Sequence, residues 1–301
     1  MRHPFADPKT DFVFKKLFGT EEHKPLLVAL LHALLELDEA HRLVSVELLP
    51  PKQRLRVPAL QRSIVDGQCM DASGLQYGVK MQVLNVAGFE KRLVADVVTH
   101  GQFHIGQWLP GLNNIIGVTV CDFELWPQSQ APQVPMLSRW RMQEQHSGAR
   151  GPGQLQFVFL ELPKNDASRP PQTAVEKWAY FFREAGNLWR APEVLAAPPF
   201  VDALEAVRVA HFTEDEREAY IRSGMAIQDM RGALSLARKE GLREGRLQGA
   251  MQLAIRRILQ QRGLTLSPQD EARLEGCEDL DTLERWFSQA LTAASAAEAM
   301  H

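Results

Sequence analysis

Two neighbouring extended stretches carry the residues best suited to chemistry: SIVDGQ at 63–68 and GVKMQV at 78–83. Side chains alternate along a strand, so Gly78, Lys80 and Gln82 share one side of the second stretch and Val79, Met81 and Val83 the other. Asp71-Ala72-Ser73-Gly74 supplies turn residues between the two. A hairpin symmetric about Ser73 sets Asp66 opposite Lys80 and puts Ile64, Asp66 and Gln68 on one sheet face with Lys80 and Gln82. A carboxylate on one strand and a polar pair one residue apart on the next is a layout suited to Mg²⁺-dependent phosphodiester hydrolysis. Acidic groups hold the hard cation at the scissile phosphate, and the third polar group positions the attacking water or neutralises developing charge. The same alternation also fits a hairpin with one solvated face.

The elements that must position these residues follow from hydrophobic spacing. A helix capped by Thr10 or Asp7 starts near Asp11 with an apolar stripe of Phe12, Phe14, Leu17 and Phe18. Gly19-Thr20 ends it, and a second helix covers about 22–37. After residue 42 the period changes to that of strands, LVSVELLPP followed by the hairpin. Residues 88–108 return to helical spacing, and NNIIGVTVCDFELWP then reads as an apolar, β-branched strand ending at Trp126-Pro127. Strand, helix, strand in that order predicts a crossover and a buried, partly parallel strand. The Gly-, Pro-, Gln- and Ser-rich stretch 128–153 is expected to be a surface excursion, and QLQFVFLELPK at 154–164 a further strand. Beyond Pro171 the chain reads as helices, ending in the long charged stretch SLARKEGLREGRLQGAMQLAIRRILQQ and a short helical tail.

Composition narrows the function classes. The 301 residues are 45% apolar and 24% charged, which places the chain with globular proteins rather than disordered or membrane ones. The longest apolar run, PLLVALLHALLEL at 25–37, is too short for a bilayer span, and the first residues lack the features of a secretory signal. Cys69, Cys121 and Cys277 form neither a CxxC pair nor a disulfide framework, so the expected home is the cytoplasm, with no membrane partner. A formal net charge of −3 argues against coating nucleic acid by bulk charge, so any contact with DNA must use a local basic patch. There is no GxSxG elbow, GxxxxGK[ST] loop or HExxH pair.

Taken together, DPKTDFVFKKLFGTEEHKPLLVALLHALL, RSIVDGQCMDASGLQYGVKMQV, FEKRL, IIGVTVCDFELWP, FVFLELPK, EKWAYFF and the glycine-spaced KEGLREGRLQG resemble, in order and spacing, the recombination-promoting nuclease and transposase family. That family is a branch of the PD-(D/E)XK nuclease superfamily. The resemblance spans about residues 5–250. It implies an α/β fold: a restriction-endonuclease-like core with a mixed central sheet flanked by helices, followed by a helical C-terminal region. The corresponding division is a nuclease-like core over 1–165, a helical extension packing on it over 166–235, and a charged, glycine-spaced helix with a helical tail over 236–301. The implied activity is a DNA endonuclease linked to recombination or mobile elements, with DNA as partner and Mg²⁺ as cofactor.

Carried over position by position, Asp66 matches the metal-binding aspartate and Gln82 the glutamine that this branch carries where most of the superfamily has lysine. Lys80 stands where the family has its catalytic glutamate. An ammonium there removes one anionic ligand and adds a cation beside Asp66, so metal binding is expected to weaken and cleavage to be impaired or absent. The remaining readings are a non-cleaving DNA-binding or protein-interaction module and an inactive mobile-element remnant that folds without a selectable activity. Asp11 is the acid that a rearranged metal site would recruit. Lys91 and Arg92 are candidate phosphate contacts on DNA, with the resemblance favouring a place near the site for Arg92. Asp96, His100 and His104 have a conceivable ligand spacing but read better as a polar surface stripe. Gly241, Gly245 and Gly249 point to close approach of another helix, as in a homo-oligomer, or else to a loosely ordered charged helix.

Overall fold

A computed structural model describes residues 3–37, 41–48, 63–72, 76–84, 114–151 and 155–300. Two compact units divide the chain, residues 1–228 and residues 229–301.

In the first unit the chain opens with α1 (Asp11–Phe18) and α2 (Lys24–Leu35). Thr10 stands at the N-cap of α1 without a side-chain cap bond. Its hydroxyl instead donates to the Asp7 carbonyl at 2.9 Å, and the Asp7 carboxylate accepts from the Lys9 N–H at 2.9 Å. Val13, Phe14, Leu17 and Phe18 are buried; Phe14, Leu17 and Phe18 belong to the expected apolar stripe, whereas Phe12 is only half-buried and Val13 joins the core in its place.

Among the described residues, six strands form one sheet in the order β1-β2-β3-β4-β6-β5. These are β1 (Leu43–Leu48), β2 (Ser63–Asp71), β3 (Gln76–Leu84), β4 (Asn114–Cys121), β5 (Leu137–Arg141) and β6 (Leu155–Glu161). β2 and β3 are the antiparallel hairpin, whereas β4 lies parallel to both β3 and β6. The sheet is therefore mixed, and its parallel centre explains the β-branched run IIGVTV: Ile116, Val118 and Val120 face one layer, and Thr119 is fully buried on the other side.

Two expectations change here. β4 ends at Cys121 rather than running on to Trp126. Phe123, Leu125 and Trp126 instead pack with Cys121, Phe157 and Phe159 in a satellite cluster. The stretch 128–153 is not solely a surface excursion, because β5 lies within it and pairs antiparallel with β6 at the sheet edge.

Helices α3 (Ala174–Glu184) and α4 (Phe200–Ala206) complete the layer that α1 and α2 begin. Trp178, Phe181 and Phe182 are fully buried in one cluster with Phe14, Phe18, Cys69, Val118 and Val158, so this aromatic set is core. α3 starts with a capping box, Thr173 accepting from the Glu176 N–H at 3.2 Å while the Glu176 carboxylate accepts from the Thr173 N–H at 3.1 Å. Arg169 adds an ion pair to Glu176.

The expected separate helices after residue 213 are one helix, α5 (Glu214–Gln261). Its first turns belong to the first unit, where Glu216 pairs with Lys16 and Tyr220 accepts from the Asp7 N–H at 3.0 Å. In the second unit the last turns of α5 pack with α6 (Pro268–Glu275), α7 (Leu280–Ala290) and α8 (Ala296–Ala299) around Ile255, Leu259, Leu274, Leu283 and Trp286.

Two measurements test this arrangement. Arg169 and the capping N–H groups hold the Glu176 carboxyl down to about 2, below its ordinary value of 4.5. The depressed folded value adds stability at neutral pH that disappears as pH falls from about 4.5 to about 2. Glu176→Gln is expected to lower stability at pH 7 and to converge with the unaltered chain at the acid end, read by denaturant unfolding at each pH. Burial also pushes the Cys69 thiol up to about 12, and Cys121 is buried while Cys277 is half-exposed. A thiol reagent is therefore expected to modify Cys277 first and the other two only on unfolding, read by mass spectrometry.

Candidate functional site

The β2–β3 register is regular from Ser63↔Val83 to Met70↔Gln76, and it sets Asp66 opposite Lys80 and Ile64 opposite Gln82. Directly opposed residues on antiparallel strands have Cβ atoms about 5 Å apart. The parallel pairing of β3 with β4 continues the line, Lys80 to Gly117 and Gln82 to Thr119. From there it runs through Phe157 and Phe159 on β6 to Trp140 and Ser138 on β5.

Alternation then fixes which face these rows belong to. Cys69, Ile116, Val118, Val120, Val158 and Leu160 join the cluster formed with α1, α2 and α3. The positions of Asp66, Lys80 and Gln82 have the other parity, on the sheet face turned away from those helices. Gly117, next along the row from Lys80, carries no side chain, and the row's far end is aromatic. Trp140 stacks on Trp126 with ring centroids 4.4 Å apart, and Trp126 meets Phe159 edge-on at 5.0 Å.

Asp11 heads α1, in the helix layer on the opposite face. Its Oδ2 pairs with Lys15 Nζ at 2.8 Å, and its Oδ1 is buried without a hydrogen-bond partner among the described residues. Lys91, Arg92, Asp96, His100 and His104 lie outside the described residues.

One acid escapes sequence reasoning. Glu161, at the end of β6, is completely buried and lies on the same sheet face as the Asp66 row, opposite Cys121. Its oxygens are already engaged: Oε1 accepts from the N–H groups of Leu125 and Trp126 at 2.7 and 2.9 Å, and Oε2 meets Lys164 Nζ. Lys164, equally buried, also donates to the Val134 carbonyl at 3.0 Å. This pair ties the segment after β4 and the loop before β5 to the end of β6. The signal in the sequence is ELPK itself, an acid and a base three residues apart at a strand's end.

A family model described as PD-(D/E)XK nuclease family transposase matches residues 8–237, well over half of the chain. The chain belongs to this family. Comparison with curated proteins and with solved structures gives no match. The mixed sheet flanked by helices, with a helical C-terminal region, agrees with the PD-(D/E)XK α/β fold.

PD-(D/E)XK nucleases generally use a divalent metal ion. The donor set at the paired hairpin positions fits one poorly. Mg²⁺ prefers anionic and neutral oxygen ligands, and the residue types here are one carboxylate, one amide and, directly opposite the carboxylate, an ammonium. No group of three or more His, Cys, Asp or Glu placed to hold a metal occurs among the described residues. No helix among them is long and apolar enough to cross a membrane.

The buried ion pair supplies a stability test. Removing one partner strands a charge in the interior, so Lys164→Met is expected to cost about 3 kcal/mol or more in denaturant unfolding. The double change with Glu161→Leu is expected to recover much of that loss.

Proposed function

We propose that this chain keeps the DNA-handling fold of its family while its cleavage chemistry is disabled at Lys80. The reading is carried by one observation, the register that pairs Asp66 with Lys80 across the hairpin. In this proposal Asp66 is the surviving carboxylate of the ancestral metal site and Lys80 its counter-ion. A lysine at the position of a metal-ligating acid changes the local charge by two units and offers three donors where acceptors are required. Gln82 beside it can donate or accept a hydrogen bond but adds no negative charge.

Lys80 can still serve binding. An ammonium is a good phosphate contact, and phosphate contacts carry affinity without reading sequence. Lys91 and Arg92 are proposed to extend that contact to the DNA backbone. Asp11 takes no part in metal binding here, in keeping with its ion pair to Lys15. The function left to the protein is salt-sensitive DNA binding, in a recombination or mobile-element setting and in the cytoplasm.

Supercoiled plasmid incubated with Mg²⁺ or Mn²⁺ tests the disablement. The unaltered chain is expected to nick no faster than Asp66→Ala. Lys80→Glu, which restores a second acid, is expected to exceed that background by roughly tenfold or more, and to lose the gain when combined with Asp66→Ala. Nicking by the unaltered chain that vanishes on Asp66→Ala would overturn the proposal. A mobility shift on the same DNA that weakens steeply with salt is the expected binding result.

A further inference from the structure

Within the second unit, α5 concentrates positive charge. Residues 231–262 hold eight lysines and arginines against two glutamates, in a chain whose formal net charge is −3. Some of these cations are committed to the fold: Arg256 pairs with Glu271 and Glu275, and Arg262 donates to the Ala290 carbonyl at 2.8 Å. Lys239, Arg243, Arg246 and Arg257 are exposed and make no hydrogen bond or ion pair among the described residues. At about 100° per residue, Arg243, Arg246 and Arg257 fall within about 40° of the line through Lys239. Ile255 and Leu259, which α6, α7 and α8 cover, lie about 160° and 200° from that line. The cationic line therefore runs along the back of the helix, turned away from the core of its own unit. Glu240 and Glu244 lie about 100° and 140° from it, so neither sits within the row.

A row of four unopposed cations fits a polyanion, and the residues beside it narrow the choice. Leu236 and Leu247 flank the line on one side and Leu242 and Leu253 on the other, each about 40–80° from it and each exposed. A helix lying in a membrane surface needs one apolar face set against its charged one, whereas here the charges stand between two apolar rows. Lipid could take up the leucines only together with the cations. Duplex nucleic acid needs only the cations, and the four positions span about 27 Å of helix, or about eight base-pair steps. The major groove of B-form DNA admits a helix, and that of A-form RNA is too narrow for one. We infer that this face of α5 docks on the phosphate backbone of duplex DNA, a contact separate from the hairpin positions and blind to base sequence. It takes from the proposed function only that DNA is the partner, and it supplies the local basic patch that a chain of net negative charge needs for that purpose.

The test uses the full chain in EDTA with a labelled DNA duplex, its affinity read by fluorescence anisotropy over a range of salt. Changing Lys239, Arg243, Arg246 and Arg257 together to Gln is expected to weaken binding by roughly tenfold or more and to make the slope of log affinity against log salt shallower by about three to four. Arg243→Lys, Arg246→Lys and Arg257→Lys together keep the charge and are expected to bind like the unaltered chain. Arg208→Gln, Arg217→Gln and Arg222→Gln, which take charge from surface ion pairs of the first unit, are expected to change the slope by less than about one. A slope that the four Gln changes leave where it was overturns the inference while the reading of Lys80 stands, since Lys80→Gln reports on that reading by its own loss of about one. A chain that binds no duplex at any salt overturns both. Four Gln changes that release the chain from phosphatidylserine vesicles or from an RNA duplex, with DNA held as before, assign the face to that other polyanion and overturn the inference as well.

Discussion

The pairing register of β2 with β3 is the constraint on which the site depends. Because side chains alternate at a period of two, a slip of one residue would move Asp66 or Lys80 to the other face and bury a charge beneath α1. The register is held from both sides. β3 is locked by β4, which is packed on both faces, and β2 is locked by β1 and by Cys69 inside the helix-covered core. The hairpin is thus positioned by residues with no chemistry of their own.

The two faces of the sheet divide the labour. One is filled by leucines and aromatic rings from four helices, and its burial supplies most of the folding drive of the first unit. The other carries the polar rows and the smaller Trp126, Phe159 and Cys121 cluster, with Glu161 and Lys164 fastening its turns. A buried ion pair is a costly way to hold a turn, since both charges lose their water. Its geometry is nonetheless specific, because Glu161 Oε1 is aimed at two successive backbone N–H groups.

Much of this arrangement is legible in the residues alone. Alternation plus the Asp71–Gly74 turn locates the hairpin and pairs Asp66 with Lys80, since a symmetric turn leaves one register consistent with burial. Helices α1 and α2 follow from their apolar spacing, and the parallel β4 from its β-branched run. Other elements are hidden for physical reasons. β5 is five residues inside a Pro- and Gly-rich stretch, and its strand character comes from pairing with β6 rather than from local propensity. FELW continues the apolar pattern of β4, but its apolar residues are half-buried by packing against Cys121 and Phe159 rather than by extending the ladder. In α5 the helix runs through Gly241, Gly245 and Gly249, although each costs about 1 kcal/mol against alanine. Glu161 is hard to single out because its burial and its backbone partners belong to tertiary structure.

The sheet's edge has a consequence for the chain in a crowded cell. β5 ends the strand order, so its outer backbone groups are the natural place for a stray strand to add and propagate a fibril. That edge is five residues long and carries Arg139 and Arg141, with Arg139 tied to Glu36 and the Leu34 carbonyl. A short, doubly cationic border makes a poor template, so self-propagating aggregation finds little purchase along β5.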